Sequence, residues 1–251
     1  MHIEQVQRQL RAMRLSVMAD SMTERLKDGN TRSLSHEEFL ALLVEDEFNA
    51  RQQRKLARMI GRANFKPEQA CIENVRYEHR RGFKQQDIMQ FNGSSWIDAH
   101  VNIILTGPTG SGKTYLAEAI GLAACKMEYP ARKLRFRRLF EELTAAKGTG
   151  MLLHYMEKLA KVKVLILDDF LMTPVTQSEL GYLADVIEER SGCGSLIVTT
   201  QYPPDTWHKR MPDPTIADAI CDRVIHRAVK LQLRGESMRK PHQPSHENDR
   251  Q

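Results

Sequence analysis

Residues 107–114 read Gly-Pro-Thr-Gly-Ser-Gly-Lys-Thr, the spacing G-x-x-x-x-G-K-[ST] of a phosphate-binding loop. An apolar run, Val101 to Thr106, precedes them, and a helix-prone run from Tyr115 to Lys126 follows. The flanks constrain the fold more than the match does. A strand that turns through glycines into a helix points successive backbone N–H groups, and the positive end of the helix, at one place. Gly107, Pro108, Thr109, Gly110, Ser111 and Gly112 are therefore expected to wrap a polyphosphate, with Tyr115 beside them. Lys113 is expected to reach the β- and γ-phosphates of ATP, and the Thr114 hydroxyl to ligate Mg²⁺.

A site of this kind needs an acid at the end of a second buried strand. Val162 to Leu167 is a continuous apolar run, as in a strand covered on both faces, and it ends in Asp168-Asp169. Carboxylates at such a place are costly to desolvate unless they have a task. Asp168 is expected to hold the metal through its water shell, and Asp169 to polarise an attacking water. A third apolar run, Ser195 to Thr200, leads into Gln201, a candidate for touching the γ-phosphate or its water, with Thr200 second; a polar cap on the strand end is the other reading.

From about residue 98 strands and helices alternate. Further elements are expected at Leu134–Arg137 (strand), Leu139–Ala146 and Met151–Leu159 (helices), Gln177–Arg190 and Pro214–His226 (helices) and Val229–Leu233 (strand). Alternation of this kind implies an α/β fold with a parallel sheet between helices. Residues 1–70 read as helix only and form a small all-α domain. Leu10, Met13 and Val17 share one helical face, Asp28-Gly29-Asn30 makes a turn, and Ser35 with Glu38 forms a capping box for the next helix. Residues 71–97 read as a linker or connecting helix, 98–240 as the nucleotide domain and 241–251 as a disordered tail.

Arg51, Lys55, Arg58 and Arg62 are spaced 4, 3 and 4 along one helical face, with Arg54 beside them. The row is either a solvated face partnered by Glu45, Asp46 and Glu47 or a set of contacts to DNA phosphates. A second basic cluster is Arg132, Lys133, Arg135, Arg137 and Arg138, of which alternate residues face opposite ways on a strand. Lys plus Arg outnumber Asp plus Glu by 37 to 32, an excess that permits a polyanionic partner without requiring one. Four well-separated cysteines, with no zinc-type spacing, exclude a disulfide scaffold and fit a reducing cytoplasm. No apolar run is long enough for a membrane span, and no membrane partner is expected.

With the phosphate loop, the double Asp, Thr200-Gln201-Tyr202-Pro203, Trp207-His208 and Gly235-Glu236-Ser237-Met238-Arg239-Lys240, the chain resembles the IstB-type ATP-binding proteins. These helpers are encoded beside the transposase of bacterial insertion sequences and are related to DnaC helicase loaders among the AAA+ ATPases. The likeness extends to Glu37-Glu38-Phe39-Leu40, Asp46 to Arg51 and Trp96-Ile97. It implies a P-loop NTPase of AAA+ type in the bacterial cytoplasm that hydrolyses ATP, oligomerises on double-stranded DNA, remodels it and stimulates a cognate transposase. It also implies an ATP site shared between subunits. Arg223, on the helix before the last strand, would act on a neighbour's phosphate, and Arg239 would contact phosphates within its own chain.

Only about 18 residues follow Leu233, too few for the helical lid common in this superfamily, so none is expected. Members often carry Asp-Glu where this chain has Asp168-Asp169, which implies slower turnover, and residues 68–93 depart from the family pattern. Two other functions suit the same core. One is a loader that delivers a replicative helicase. The other is a small-molecule kinase, disfavoured because no Arg-rich mobile lid interrupts the strands.

Overall fold

A computed structural model describes residues 2–28, 31, 33–66, 70–75, 77, 81–235 and 237–238. The chain divides into two compact units, Met1–Arg58 and Met59–Gln251.

In the first unit, α1 (Ile3–Ala12) and α2 (Ser16–Lys27) precede α3 (His36–Ala63), whose C-terminal turn belongs to the second unit. The expected single face Leu10–Met13–Val17 is instead split between two helices. Arg14 takes a left-handed φ of 63°, the Leu15 amide closes back on the Leu10 carbonyl, and Met13 is exposed. Leu10, Ala19, Met22 and Leu43 make the core, with Val6, Leu15, Met18 and Phe39 against it. The capping box that opens α3 is formed: the Ser35 amide donates to Glu38 (2.7 Å) and the Glu38 amide to Ser35 Oγ (3.2 Å).

So small a core leaves room for polar ties to matter. Asp46 accepts from Ser21 Oγ and from Arg25 (2.8 Å), and these bonds hold its carboxyl below the usual range. Burial pushes Glu47 up. The Arg51 ion pair at 2.8 Å and the Met18 amide at 3.0 Å outweigh it, so the net shift is downward. A carboxylate whose folded pKa is lowered stabilises the fold above its unfolded pKa and stops doing so as pH falls through the folded value. Helix content of the wild type is therefore expected to begin falling only below about pH 4.5, the ordinary value for Glu47. Glu47→Gln weakens the tie at neutral pH by about 1–3 kcal/mol. Circular dichroism of both proteins from pH 6 to 3 checks this; coincident curves would remove Glu47 from the account.

The second unit holds a five-stranded parallel sheet in the order β2-β3-β4-β1-β5. Its strands are β1 (Asn102–Thr106), β2 (Ala131–Arg135), β3 (Val164–Asp168), β4 (Ser195–Thr200) and β5 (Ala228–Gln232). Strands β3 and β4 are buried along their whole length. One face of the sheet, with Ile104, Leu165, Leu167, Leu196 and Val198, joins the core built with α7 (Phe136–Gly148), α8 (Leu152–Ala160), α9 (Gln177–Arg190) and α10 (Pro214–Ile225). Alternate residues face α6 (Lys113–Lys126). There a Cβ on Gly121 would stand 2.9 Å from Ile166 Cδ1 and 2.6 Å from Phe65 Cζ, so a larger residue would have to displace those side-chain ends.

Two sequence expectations are corrected. The strand placed at Leu134–Arg137 is Ala131–Arg135, because Phe136, Leu139, Phe140 and Leu143 recur at helical spacing and are all buried as the face of α7. The segment taken as a linker, 71–97, contributes buried Ile72, Val75, Phe83, Ile88, Phe91, Trp96 and Ile97, through α4 (Gln85–Met89), α5 (Ser95–Asp98) and short 3-10 turns. It is part of the second unit, whose boundary falls at Met59 rather than near residue 98.

Candidate nucleotide site and nucleic-acid contacts

The loop between β1 and α6 is shaped by glycines at φ 83° (Gly110) and 93° (Gly112), a region that side chains avoid. A Cβ on Gly107 would run into the Leu233 carbonyl. The Lys113 ammonium, in a residue 8% exposed, donates to the Gly107 and Pro108 carbonyls, both at 2.8 Å. The buried Ser111 hydroxyl oxygen has no hydrogen-bond partner. The loop therefore presents donors in a concave wall of backbone amides at a helix N-terminus, which is an anion cradle.

Across from it, Asp168 is 4% exposed at the end of β3. One of its carboxylate oxygens accepts from Thr114 Oγ1 (2.8 Å) and from Thr199 Oγ1 (2.6 Å). Strand β4 lies between β1 and β3, so Thr199 can bridge the acid strand to the sheet centre. The Thr199 hydroxyl also accepts from the Asp169 amide (3.1 Å). Asp169 is exposed with a left-handed φ of 59°, and Leu171 has φ 56°. The cause of that bend is Phe170, fully buried between Phe136 and Trp207 at ring distances of 4.6 and 4.8 Å. Its anchoring turns the neighbouring carboxylate outward, and such strain, of order 1–3 kcal/mol per residue, persists only where packing enforces it.

Thr200 turns inward, donating to the Phe170 carbonyl (2.9 Å), whereas Gln201 Nε2 donates to Thr109 Oγ1 of the phosphate loop. Of the two strand-end candidates, Gln201 thus reaches the loop by its side chain, whereas Thr200 meets it through its backbone, its carbonyl accepting from the Gly107 amide (3.3 Å).

The hydroxyl and carboxylate pair Thr114–Asp168 and the orphan Ser111 oxygen fit a hydrated divalent cation beside a polyphosphate. Thr114 would ligate such a cation and Asp168 would hold its waters.

A cavity of about 500 Å³ adjoins the loop, lined by Asn74, Arg81, Phe83, Ser111, Tyr115 and Met238 among others. Tyr115 Oη meets the Cys71 backbone at 3.4 Å, and Arg81 Nη1 stands 4.0 Å from where a Cβ on Gly112 would be. Asn74, Arg81 and Phe83 were not singled out from the sequence. Their segment carries no motif, and only the fold back onto α6 brings them to the site. The Met238 amide donates to the Gly110 carbonyl (3.0 Å), which brings the chain after β5 to the loop. Arg239 lies outside the described residues.

Arg223 sits elsewhere. The Asn102 side chain, at the start of β1, donates to the Arg223 and Val224 carbonyls (3.2 and 3.1 Å), whereas the phosphate loop leaves the other end of that strand. At about 3.3 Å per residue the strand separates them by more than 13 Å. The guanidinium pairs with Glu188 of α9 and borders a cavity of about 390 Å³ with Arg190, His226 and Arg227. Arg190, 5% exposed, donates to the Leu159 and Val162 carbonyls, and burial brings its pKa down to about 10.

Several basic candidates are already engaged. Arg51 binds Glu47 (2.8 Å) and the Arg14 carbonyl (2.7 Å). Arg132 pairs with Glu142 (2.7 Å), buried Lys133 with Glu118, Arg137 with Glu179 (2.7 Å), and Arg138 with Glu141 and Glu142. Lys133 is thereby a core ion pair rather than a surface cation. Arg54, Lys55, Arg58, Arg62 and Arg135 are exposed. Among the described residues no helix is long and apolar enough to cross a membrane, and no cluster of three or more His, Cys, Asp or Glu could hold a metal.

The sheet order, the glycine loop and the acid on β3 define a P-loop ATPase of the AAA+ class. The backbone is similar to that of the DnaC helicase loader, at a TM-score of 0.58 and 16% identity over 66% of this chain and 97% of that one. It is similar also to a DnaA replication initiator solved with AMPPCP and single-stranded DNA, at 0.56 and 14% over 69% and 52% of the two chains. Residues 8–246 match the family described as "IstB-like ATP binding protein", and the chain belongs to it. A Sinorhizobium fredii relative named "Putative insertion sequence ATP-binding protein y4pL" is 39% identical over 92% of this chain and 94% of its own. One from Mycobacterium tuberculosis, also named for an insertion sequence, is 30% identical over 94% of both.

Proposed function

We propose that this AAA+ ATPase is a transposition helper that assembles on double-stranded DNA with ATP between its subunits, remodels the duplex and recruits and stimulates its cognate transposase. The observation that carries the shared site is the placement of Arg223 at the opposite end of β1 from its own phosphate loop. A guanidinium there can complete a nucleotide site only in another copy.

On this reading the residues divide the labour as follows. Backbone amides of Thr109, Gly110 and Gly112 and the Lys113 ammonium hold the phosphates, while Asn74, Phe83 and Tyr115 border the cavity for the base. Thr114, and Asp168 through water, would hold Mg²⁺, which would supply neutralisation of phosphate charge. Asp169, turned outward by the Phe170 anchor, takes a proton from the attacking water, and Gln201 steadies the loop through Thr109. Arg223 of a second copy offsets the charge that develops on the transferred phosphoryl group. The exposed stripe Arg54, Lys55, Arg58 and Arg62, with Arg135, grips DNA phosphates, a contact without sequence choice that weakens steeply with salt. The relatives' association with insertion sequences supports the transposase as partner. Delivery of a replicative helicase is the competing reading. Retention of a helicase rather than the transposase in a pull-down would replace one with the other.

Asp169→Asn tests the hydrolytic part. Loss of a general base costs about 10²- to 10⁴-fold in turnover. Phosphate release is expected to fall accordingly while ATP affinity stays near wild type, and DNA-bound assemblies should outlast those of the wild type in electron micrographs. Unchanged turnover would take Asp169 out of the mechanism.

A further inference from the structure

Arg81 is a cation beside the phosphate loop that no motif accounts for. It lines the cavity of about 500 Å³ together with Ser111, Gly112 and Tyr115, and its Nη1 stands 4.0 Å from where a Cβ on Gly112 would be. Helix α6 starts from Gly112, so the guanidinium is held against the positive end of a helix. Like charges so close repel unless an anion comes between them. Among the described residues the side-chain hydrogen bond of Arg81 goes from Nη2 to Met238 Sδ, and a thioether is a weak acceptor for a group with five donors.

The backbone fixes Arg81 in this place. Its carbonyl accepts from the Arg234 amide (2.8 Å), just beyond β5. Gly82 follows with a φ of 81°, so close to β5 that a Cβ would stand 2.6 Å from the Gln232 carbonyl. Phe83 is buried, and the Lys84 amide donates to Asp87 (2.7 Å) where α4 begins. A side chain that leaves so firm a base loses less freedom when it closes on a ligand.

Its surroundings say which part of a nucleotide it meets. The Thr114–Asp168 pair and the Gln201–Thr109 bond mark the metal and terminal-phosphate side of the loop, toward β3 and β4. Arg81 stands on the other side, in the cavity that Asn74, Phe83 and Tyr115 border. A cation between that cavity and the first turn of α6 meets the phosphate that joins the tail to the ribose. Lys113 leaves that end uncovered, since its ammonium turns back to the Gly107 and Pro108 carbonyls, both at 2.8 Å. A guanidinium can grip two oxygens of one phosphate at once.

We propose that Arg81 binds the α-phosphate of the nucleotide held by its own chain, a contact that ATP and ADP share. The assignment rests on the nucleotide site described above and adds a residue to it. Hydrolysis leaves the α-phosphate where it is, so this contact retains ADP, whereas those of Asp169 and of a second copy's Arg223 end with the γ-phosphate.

The test is calorimetric titration of the full chain with Mg²⁺ and no DNA, using ATP, ADP and the two diastereomers of ATPαS, in which sulfur replaces one non-bridging α-oxygen. Arg81→Ala is expected to raise the dissociation constants of ATP and ADP by the same factor, about tenfold or more, the scale of a hydrogen bond to a charged group. Wild type is expected to bind one diastereomer about threefold or more weaker than the other, because sulfur is a poor acceptor for a charge-assisted bond, and Arg81→Ala to lose most of that difference. Arg81→Lys, with the charge but not the planar fork, should recover part of the affinity and little of the discrimination. A loss for ATP alone would move Arg81 to the γ-phosphate and overturn the proposal. Equal losses with the diastereomer preference intact would overturn it too, making Arg81 a contact to the base or a brace for the loop. Lys113→Ala keeps the two readings apart. If it abolishes ATP binding while Arg81→Ala leaves affinity at the wild-type value, the nucleotide site stands and Arg81 falls; if wild type itself binds no nucleotide, both fall.

Discussion

Lys113→Ala is expected to raise the ATP dissociation constant by about 10²- to 10³-fold in isothermal calorimetry. The ammonium is nearly buried and sits against the carbonyls of its own loop, so it is already in a desolvated wall where a phosphate contact is strong. Truncating one side of a buried, hydrogen-bonded charge pair costs about 2–5 kcal/mol, and 1.4 kcal/mol is a factor of ten. The fold should persist, because the glycines and the strand-to-helix turn set the loop without the ammonium. Circular dichroism provides that control. An affinity within threefold of wild type would mean that the loop does not hold ATP phosphates.

Arg223→Ala is expected to act on the opposite parameter. Its own chain's site lies at the other end of β1, so nucleotide affinity of the monomer should be unchanged, while DNA-stimulated hydrolysis falls by about 10³-fold, the lower range for loss of an arginine supplied in trans. The lost Glu188 pair is too exposed for its removal to unfold α10, since such pairs contribute under about 1 kcal/mol. Mixing is the decisive measurement. Lys113→Ala protomers keep Arg223, and Arg223→Ala protomers keep Lys113, so a mixture should regain phosphate release that neither has alone. Absence of recovery, with both variants folded and associating, would place Arg223 outside the nucleotide site.

Where residues recur at a fixed spacing the sequence was legible. The helix over Gln177–Arg190 and the strand over Ser195–Thr200 fall at the expected boundaries. The glycine loop is found between its strand and helix, because there only glycine is compatible with the backbone. Errors arose where two periodicities overlap or where a signal is long-range. Arg132 and Lys133 look like surface cations in a linear reading. Their edge strand turns them toward Glu142 and Glu118, and neither acid is near in sequence. Met13 continues an apolar pattern across a chain reversal that Arg14 makes with a backbone angle the pattern does not encode.

By itself the sequence determined the local geometry of this protein: which runs are strands, where glycines curl the chain into an anion cradle, and which acid ends a buried strand. Those properties follow from steric limits and hydrophobic spacing within a few residues. Tertiary structure alone decided that Asn74, Val75, Arg81 and Phe83 line the cavity beside the phosphate loop, that Thr199 rather than Thr200 bonds Asp168, and that Arg223 stands away from its own phosphate loop. The first depends on how their segment folds back onto α6, the second on the order of strands in the sheet, and the third on which end of β1 the helix α10 meets. That order is set by how distant apolar faces pack together, and no short stretch of chain records it.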